Sequence, residues 1–163
     1  MKKYLFLSIF VAGFSVQAAD VVSQKNIGLD LATDLAMLST KKCQEDGYQV
    51  SSVVVDKHGN VRVALRDDLA ARFTLEIAQR KANMTIMSGI RSGDFKKVRE
   101  DIRQELNHIN GLIVIEGGVP IIVAGGVVGA IGVSGAPGGH LDAACADYAI
   151  KKLQERIDFA DDD

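Results

Sequence analysis

Tryptophan is absent from this 163-residue chain, and proline, cysteine and histidine number only two, two and three. Aromatic residues make up 6%. The 19 basic residues face 21 acidic ones, a formal net charge of −2, and no Lys/Arg-rich patch is interleaved with aromatics. That absence excludes a nucleic-acid partner, whose phosphates require clustered positive charge. No nucleophile–base set can be assembled, and Ser134 has no strand-elbow context, which counts against an enzyme. The adjacent Asp67 and Asp68 read as a cap and first-turn charge for a following helix rather than as an acid–base pair.

What is present begins with an export signal. Lys2 and Lys3 precede an uncharged apolar stretch over residues 4–16, and Val16-Gln17-Ala18 fits the small-residue cleavage pattern, with the cut after Ala18. The stretch is too short for a comfortable span, which needs about 20 apolar residues. Residues 1–18 are therefore expected to be a signal peptide and 19–163 a single domain, periplasmic or secreted, of bacterial type. Taking Lys2 and Lys3 from the 19 basic residues leaves 17 against 21 acidic ones, a charge of −4. Both cysteines, Cys43 and Cys145, lie in the mature chain. Either they pair in the oxidising compartment, closing a loop of about 100 residues, or they are two buried thiols on helix faces.

Along the chain, residues 26–45 read as an amphipathic helix, with Ile27, Leu31, Leu35 and Leu38 recurring every three or four positions. Residues 48–55 and 61–65 read as a hairpin around the turn at Asp56-Lys57-His58-Gly59-Asn60. Helical patterns cover 69–87 and 95–107, with Ser92 and Asp94 as candidate caps of the second. Strands are expected at 112–115, 121–124 and 127–133, and a last helix at 141–157, before an acidic tail at 158–163. The expected architecture is α+β: a central five-stranded antiparallel sheet with flanking helices in the order α-β-β-α-α-β-β-β-α.

After Glu116, no charged residue occurs until beyond Gly139, and nine glycines and two prolines break the run from Gly117 to Gly139. Breakers so closely spaced leave apolar segments of strand length and rule against a membrane span. A dinucleotide fingerprint is equally poor. Gly126, Gly129, Gly132 and Gly135 recur every third residue, so in a strand they alternate faces, and no Walker lysine is present. Gly129 and Gly132 read instead as close backbone packing or a bulge. The end of the run, Gly135-Ala136-Pro137-Gly138-Gly139-His140, leads into a helix start. Free amides there favour an anion, with His140 as an added donor or ligand atom; an ordinary strand-to-helix connection is the alternative.

Taken in order, Val53-Val54-Val55-Asp56 with Gly59, Arg66-Asp67-Asp68, Lys81-Ala82, Glu116-Gly117-Gly118-Val119-Pro120, Gly129-Ala130-Ile131-Gly132-Val133-Ser134-Gly135, Asp142 and Ala146 resemble the GlcG/HbpS-like haem-binding family. The resemblance covers about residues 27–155. It implies a profilin- or roadblock-like domain and a homo-oligomer, a dimer or a higher assembly such as an octamer. It implies a haem or related tetrapyrrole ligand, bound between subunits for scavenging, storage or sensing, with a sensor or transport partner left open. Other implied readings are a small-molecule accessory protein of hydroxy-acid (glycolate) or propanediol metabolism, and a haem-degrading enzyme. Fold alone does not choose between them.

For the site, the resemblance implies that the loop over residues 88–93 helps form the pocket, with a hydroxyl residue near the iron. Ser92 stands at that place, and a serine hydroxyl is a weak iron ligand. Arg91 is a candidate partner for a propionate. Met84 and Met87 precede the loop at helical spacing, so Met87 is either core or pocket wall. Gly138, Gly139 and His140 form the second candidate set, and His140 or Ser92 is the candidate iron ligand. His58 reads as exposed in a hairpin turn and His108 as flanking a helix end. Asn83-Met84-Thr85 matches a glycosylation sequon but falls inside a helical pattern.

Overall fold

Val53, Val54 and Val55 form an unbroken apolar run because their strand lies mid-sheet with both faces covered. The structure, a computed structural model, describes residues 22–159. Strand β1 (Ser51–Asp56) is buried throughout. It pairs antiparallel with β2 (Val61–Arg66) on one side and β4 (Gly126–Ser134) on the other, and β3 (Gly118–Val123) pairs antiparallel with β4. The sheet order is β2-β1-β4-β3. Helices α1 (Leu29–Glu45) and α5 (Gly139–Lys152) cover one face, where Leu35, Val54, Val119, Ile131, Val133 and Ala146 share a core. Helix α2 (Thr74–Ser88) covers the other, against Val53, Val55 and Ala130. The side-chain alternation along β1 and β4 divides the cores. No helix among the described residues is long and apolar enough to cross a membrane. The expected signal peptide and residues 160–163 of the acidic tail lie outside the described residues.

Turn chemistry sets both hairpins. The Asp56 carboxylate accepts the His58 and Asn60 amides at 2.8 and 2.9 Å, closing the first turn. Ala124 and Gly125 both take positive φ, +48° and +78°, the left-handed pair a tight two-residue hairpin needs.

The α+β class and antiparallel sheet hold, but the sheet has four strands, not five, and the expected element order changes accordingly. Residues 112–115 are not a strand. The Val114 amide donates to the Asn107 side-chain oxygen at 2.8 Å instead of a ladder, and the Val114 side chain packs with Met84 and Phe95 in a satellite core. The apolar signal there serves burial beneath helices. The pattern over 69–87 is helical only from Thr74. The Asp67 carboxylate accepts the Leu69 amide at 3.0 Å in a turn, so it caps no helix. The pattern over 95–107 divides into α3 (Ser92–Val98), a 3-10 turn at Glu100–Ile102 and α4 (Arg103–Asn107), because Arg99 leaves helical backbone space at φ −131°, ψ 46°. The last helix ends at Lys152, and α6 (Gln154–Asp158) follows after Leu153.

Gly118 and Gly132 sit opposite each other on β3 and β4. A Cβ at Gly132 would lie 1.9 Å from the Ala78 carbonyl oxygen, and one at Gly118 would lie 2.4 Å from that of Lys81. The glycine pair lets α2 rest on the sheet backbone. Gly132→Ala is therefore expected to force the helix outward and cost at least about 1–3 kcal/mol, as overpacking does. A urea midpoint equal to that of the parent would contradict this. Close packing on both faces of β4 explains two of the period-three glycines: Gly129 faces Ile27 and Gly132 faces α2.

Cys43 and Cys145 are joined, with Cα atoms 5.6 Å apart, so the disulfide ties α1 to α5. Both sit in the core between these helices.

Candidate functional site

Helix α2 ends on Gly89, whose left-handed backbone (φ 72°) returns its amide to the Thr85 carbonyl. The Ser88 hydroxyl donates to the Met84 carbonyl at 2.9 Å and tightens the turn. The turn pushes Ile90 outward, and Arg91 follows at the mouth of α3. Ser92 then points inward: its buried Oγ accepts the Gly118 amide at 2.9 Å, pinning the start of α3 to the start of β3. Between this loop, the free edge of β3 and the α5–α6 corner lies a cleft of about 470 Å³. Ile90, Val119, Pro120, Ile122, Ile150 and Ile157 provide its apolar surface, and Arg91, Asp94, Asp147 and Gln154 its polar part. Pro120 has no amide to offer a ladder, which suits an edge strand that carries a cleft rather than a fifth strand.

Arg91 and Asp147 meet across the cleft as a two-pronged ion pair, Nη1 to Oδ1 and Nη2 to Oδ2, both 2.7 Å. The hydrogen bonds that Arg91 donates to Asp147 push its guanidinium above its ordinary value, against the opposing effect of lost hydration. Asp94 and Glu116 also act on Arg91 electrostatically. Arg91 thus feels three carboxylates, of which only Asp147 is hydrogen-bonded to it.

Behind the cleft lies a second charged pair. Lys81 Nζ donates to Asp142 Oδ2 at 2.7 Å and to the Val133 carbonyl at 2.9 Å, and both side chains are only 3% exposed. Asp142 Oδ1 accepts the Ala136 amide at 2.9 Å. The amide-rich entry to α5 therefore holds the chain's own carboxylate. Loss of water first of all holds Lys81 below its ordinary value and lifts Asp142 above its own.

The expected site residues are distributed unevenly around this geometry. Arg91 lines the cleft. Ser92 lies behind the lining with its oxygen on the Gly118 amide. Met87 is 48% exposed and outside the lining. Gly138, Gly139 and His140 form the entry of α5, also outside the cleft, and His140 is exposed. The structure adds Asp147 and Ile150, which the sequence did not single out, and Asp94, which read only as a candidate helix cap. Only the fold brings Asp147 to Arg91, 56 residues away. Among the described residues no group of three His, Cys, Asp or Glu side chains is placed to hold a metal ion.

These features describe a small α+β domain whose unpaired sheet edge opens onto an apolar cleft with a charged rim. A family model described as "Haem degrading protein HbpS-like" matches residues 27–151, and the chain belongs to that family. It is 29% identical over 104 residues to Protein GlcG of Escherichia coli K12, covering 64% of this chain and 78% of GlcG. Streptomyces reticuli HbpS, solved as a double mutant, superposes with a TM-score of 0.78 at 31% identity, covering 88% of this chain and 97% of HbpS. PduOC, solved as a complex with haem, shares the fold at a TM-score of 0.70 and 22% identity, covering 77% and 94% of the two chains.

Proposed function

We propose that this protein binds haem or a related tetrapyrrole in the cleft at the β3 edge and acts as a carrier, store or sensor. The observation that carries the reading is the cleft itself: apolar residues from three elements surround one guanidinium in a chain of the HbpS-like family. The haem complex of PduOC adds weight, since that relative shares the fold. The remaining expectations belong to the same proposal: export after loss of residues 1–18, and a homo-oligomer that closes the open side of the cleft.

The lining fits the group's faces and one carboxylate. Ile90, Val119, Ile122 and Ile150 suit a flat apolar ring, and Arg91 suits a propionate. The fit does not extend to the metal, because no His, Cys, Met or Tyr among the described residues lines the cleft. Bound haem would supply redox-active iron. This chain's residues would exclude water from the ring and orient its carboxylate, and none in the lining would bond the iron strongly.

Haemin titrated into the mature protein is expected to give a saturable Soret shift near one ring per site, and no shift would overturn the proposal. Iron-free protoporphyrin IX is expected to bind within severalfold of haemin. A haemin preference of a hundredfold or more would instead point to an iron ligand, which His140→Ala and Ser92→Ala would identify. A second reading, a carboxylate-binding accessory protein for small hydroxy acids, is favoured by the same lack of a strong iron ligand. It predicts glycolate binding without any Soret response. Steady loss of the Soret band under reductant, with an open-chain product, would mark the haem-degrading alternative.

A further inference from the structure

Arg91 is the only cation among the described residues that line the cleft, yet its two hydrogen-bonding prongs are already engaged by Asp147. A ligand carboxylate that fits the cleft would need the same two prongs in the same plane, so ligand and Asp147 compete for one receptor. The pair is not locked in place. Its side chains are 38% and 46% exposed, and an exposed ion pair contributes only about 0–1 kcal/mol. Asp147 stands mid-helix on α5, so a change of its side-chain rotamer is enough to free Arg91 without moving the backbone.

We infer that Asp147 is a displaceable internal counter-ion: it occupies Arg91 in the empty cleft and is expelled by the carboxylate of an apolar ligand. Its presence makes the cleft selective. A fully apolar molecule enters without disturbing the pair, whereas a carboxylated one must break it and gains the guanidinium in return. The other charges facing Arg91, Asp94 and Glu116, remain and disfavour ligands carrying much negative charge. The inference rests on the cleft being the ligand site, but not on the ligand being a tetrapyrrole.

The test compares wild type with Asp147→Asn, Asp94→Asn and Arg91→Gln, using cis-parinaric acid, its uncharged methyl ester, and protoporphyrin IX. The Asp147→Asn change keeps the side-chain shape and one acceptor, so folding is checked simply by an unchanged urea midpoint. Asp147→Asn is expected to tighten the two carboxylated probes by about two- to fivefold and leave the ester unchanged. Asp94→Asn should tighten them less, because it removes charge without freeing the prongs. Arg91→Gln should weaken both carboxylated probes and spare the ester. Equal or weaker carboxylate binding by Asp147→Asn would overturn the inference. So would an equal gain for the ester, an equal gain from Asp94→Asn, or no binding of either carboxylated probe. If parinarate responds as expected and protoporphyrin IX fails to bind, the counter-ion role stands and the tetrapyrrole reading falls.

Discussion

Lys81→Met is expected to destabilise the fold by about 3–5 kcal/mol, because it strands the buried Asp142 carboxylate without its partner. Asp142→Leu alone should cost a similar amount, leaving the Lys81 ammonium buried with only the Val133 carbonyl. The double variant should recover most of the loss or exceed wild type, since two apolar side chains need no hydration to be replaced. Urea denaturation of all four proteins forms a double-mutant cycle. Additive losses in the double variant would contradict the assignment.

The pH dependence follows from the shift directions. A carboxyl raised above its ordinary 3.8 adds stability that is complete below that value and is lost as pH rises through the folded value. A lysine lowered below 10.5 adds stability that is complete above that value and is lost as pH falls through the folded value. Wherever both groups are charged, burial opposes the charge on each. The double variant is therefore expected to gain most over wild type near neutral pH. A pair so placed registers α2, β4 and the entry of α5 on one another. Helix α5 also carries Asp147 and Ile150 of the cleft, so loosening of the pair should also weaken ligand binding.

Replacing both cysteines, Cys43→Ala with Cys145→Ala, is expected to cost about 4–5 kcal/mol. The bridge spans 102 residues, and a crosslink over so long a loop strongly restricts the unfolded chain. A dithiothreitol-treated wild-type protein should lose nearly as much, whereas the Ala variant should no longer respond to reductant. A difference below about 1 kcal/mol between oxidised and reduced protein would contradict the expectation. Such a loss is a large part of the stability of a domain this size. It would confine full stability to an oxidising compartment.

Local chemistry made much of the fold legible. Leu31, Leu35 and Leu38 marked α1, the Asp56–Asn60 segment marked the first hairpin, and the breaker spacing after Glu116 marked β3 and β4. The missing fifth strand has a local cause. Residues 112–115 are apolar and rich in β-branched side chains, but four residues carry no period that separates a strand from a core-packed loop. Whether Val114 joins a ladder depends on Asn107 reaching its amide. The site was less legible. Arg91 was picked out for its charge, and Ser92 for its place in a family pattern. Nothing local showed that the Ser92 oxygen turns inward to Gly118 while Arg91 turns out to Asp147.

The amino-acid sequence by itself determined the family, the α+β class, the two hairpins and the close-packing role of Gly129 and Gly132. Each is written in neighbouring residues, through side-chain period, turn geometry or the lack of a Cβ. The tertiary structure alone decided the order β2-β1-β4-β3, the Lys81–Asp142 pair, the Cys43–Cys145 bridge and the cleft across which Arg91 meets Asp147. The three paired contacts join positions 56 to 102 residues apart. Contacts at that separation follow from how layers pack and where a strand is left without a neighbour, which no local pattern encodes.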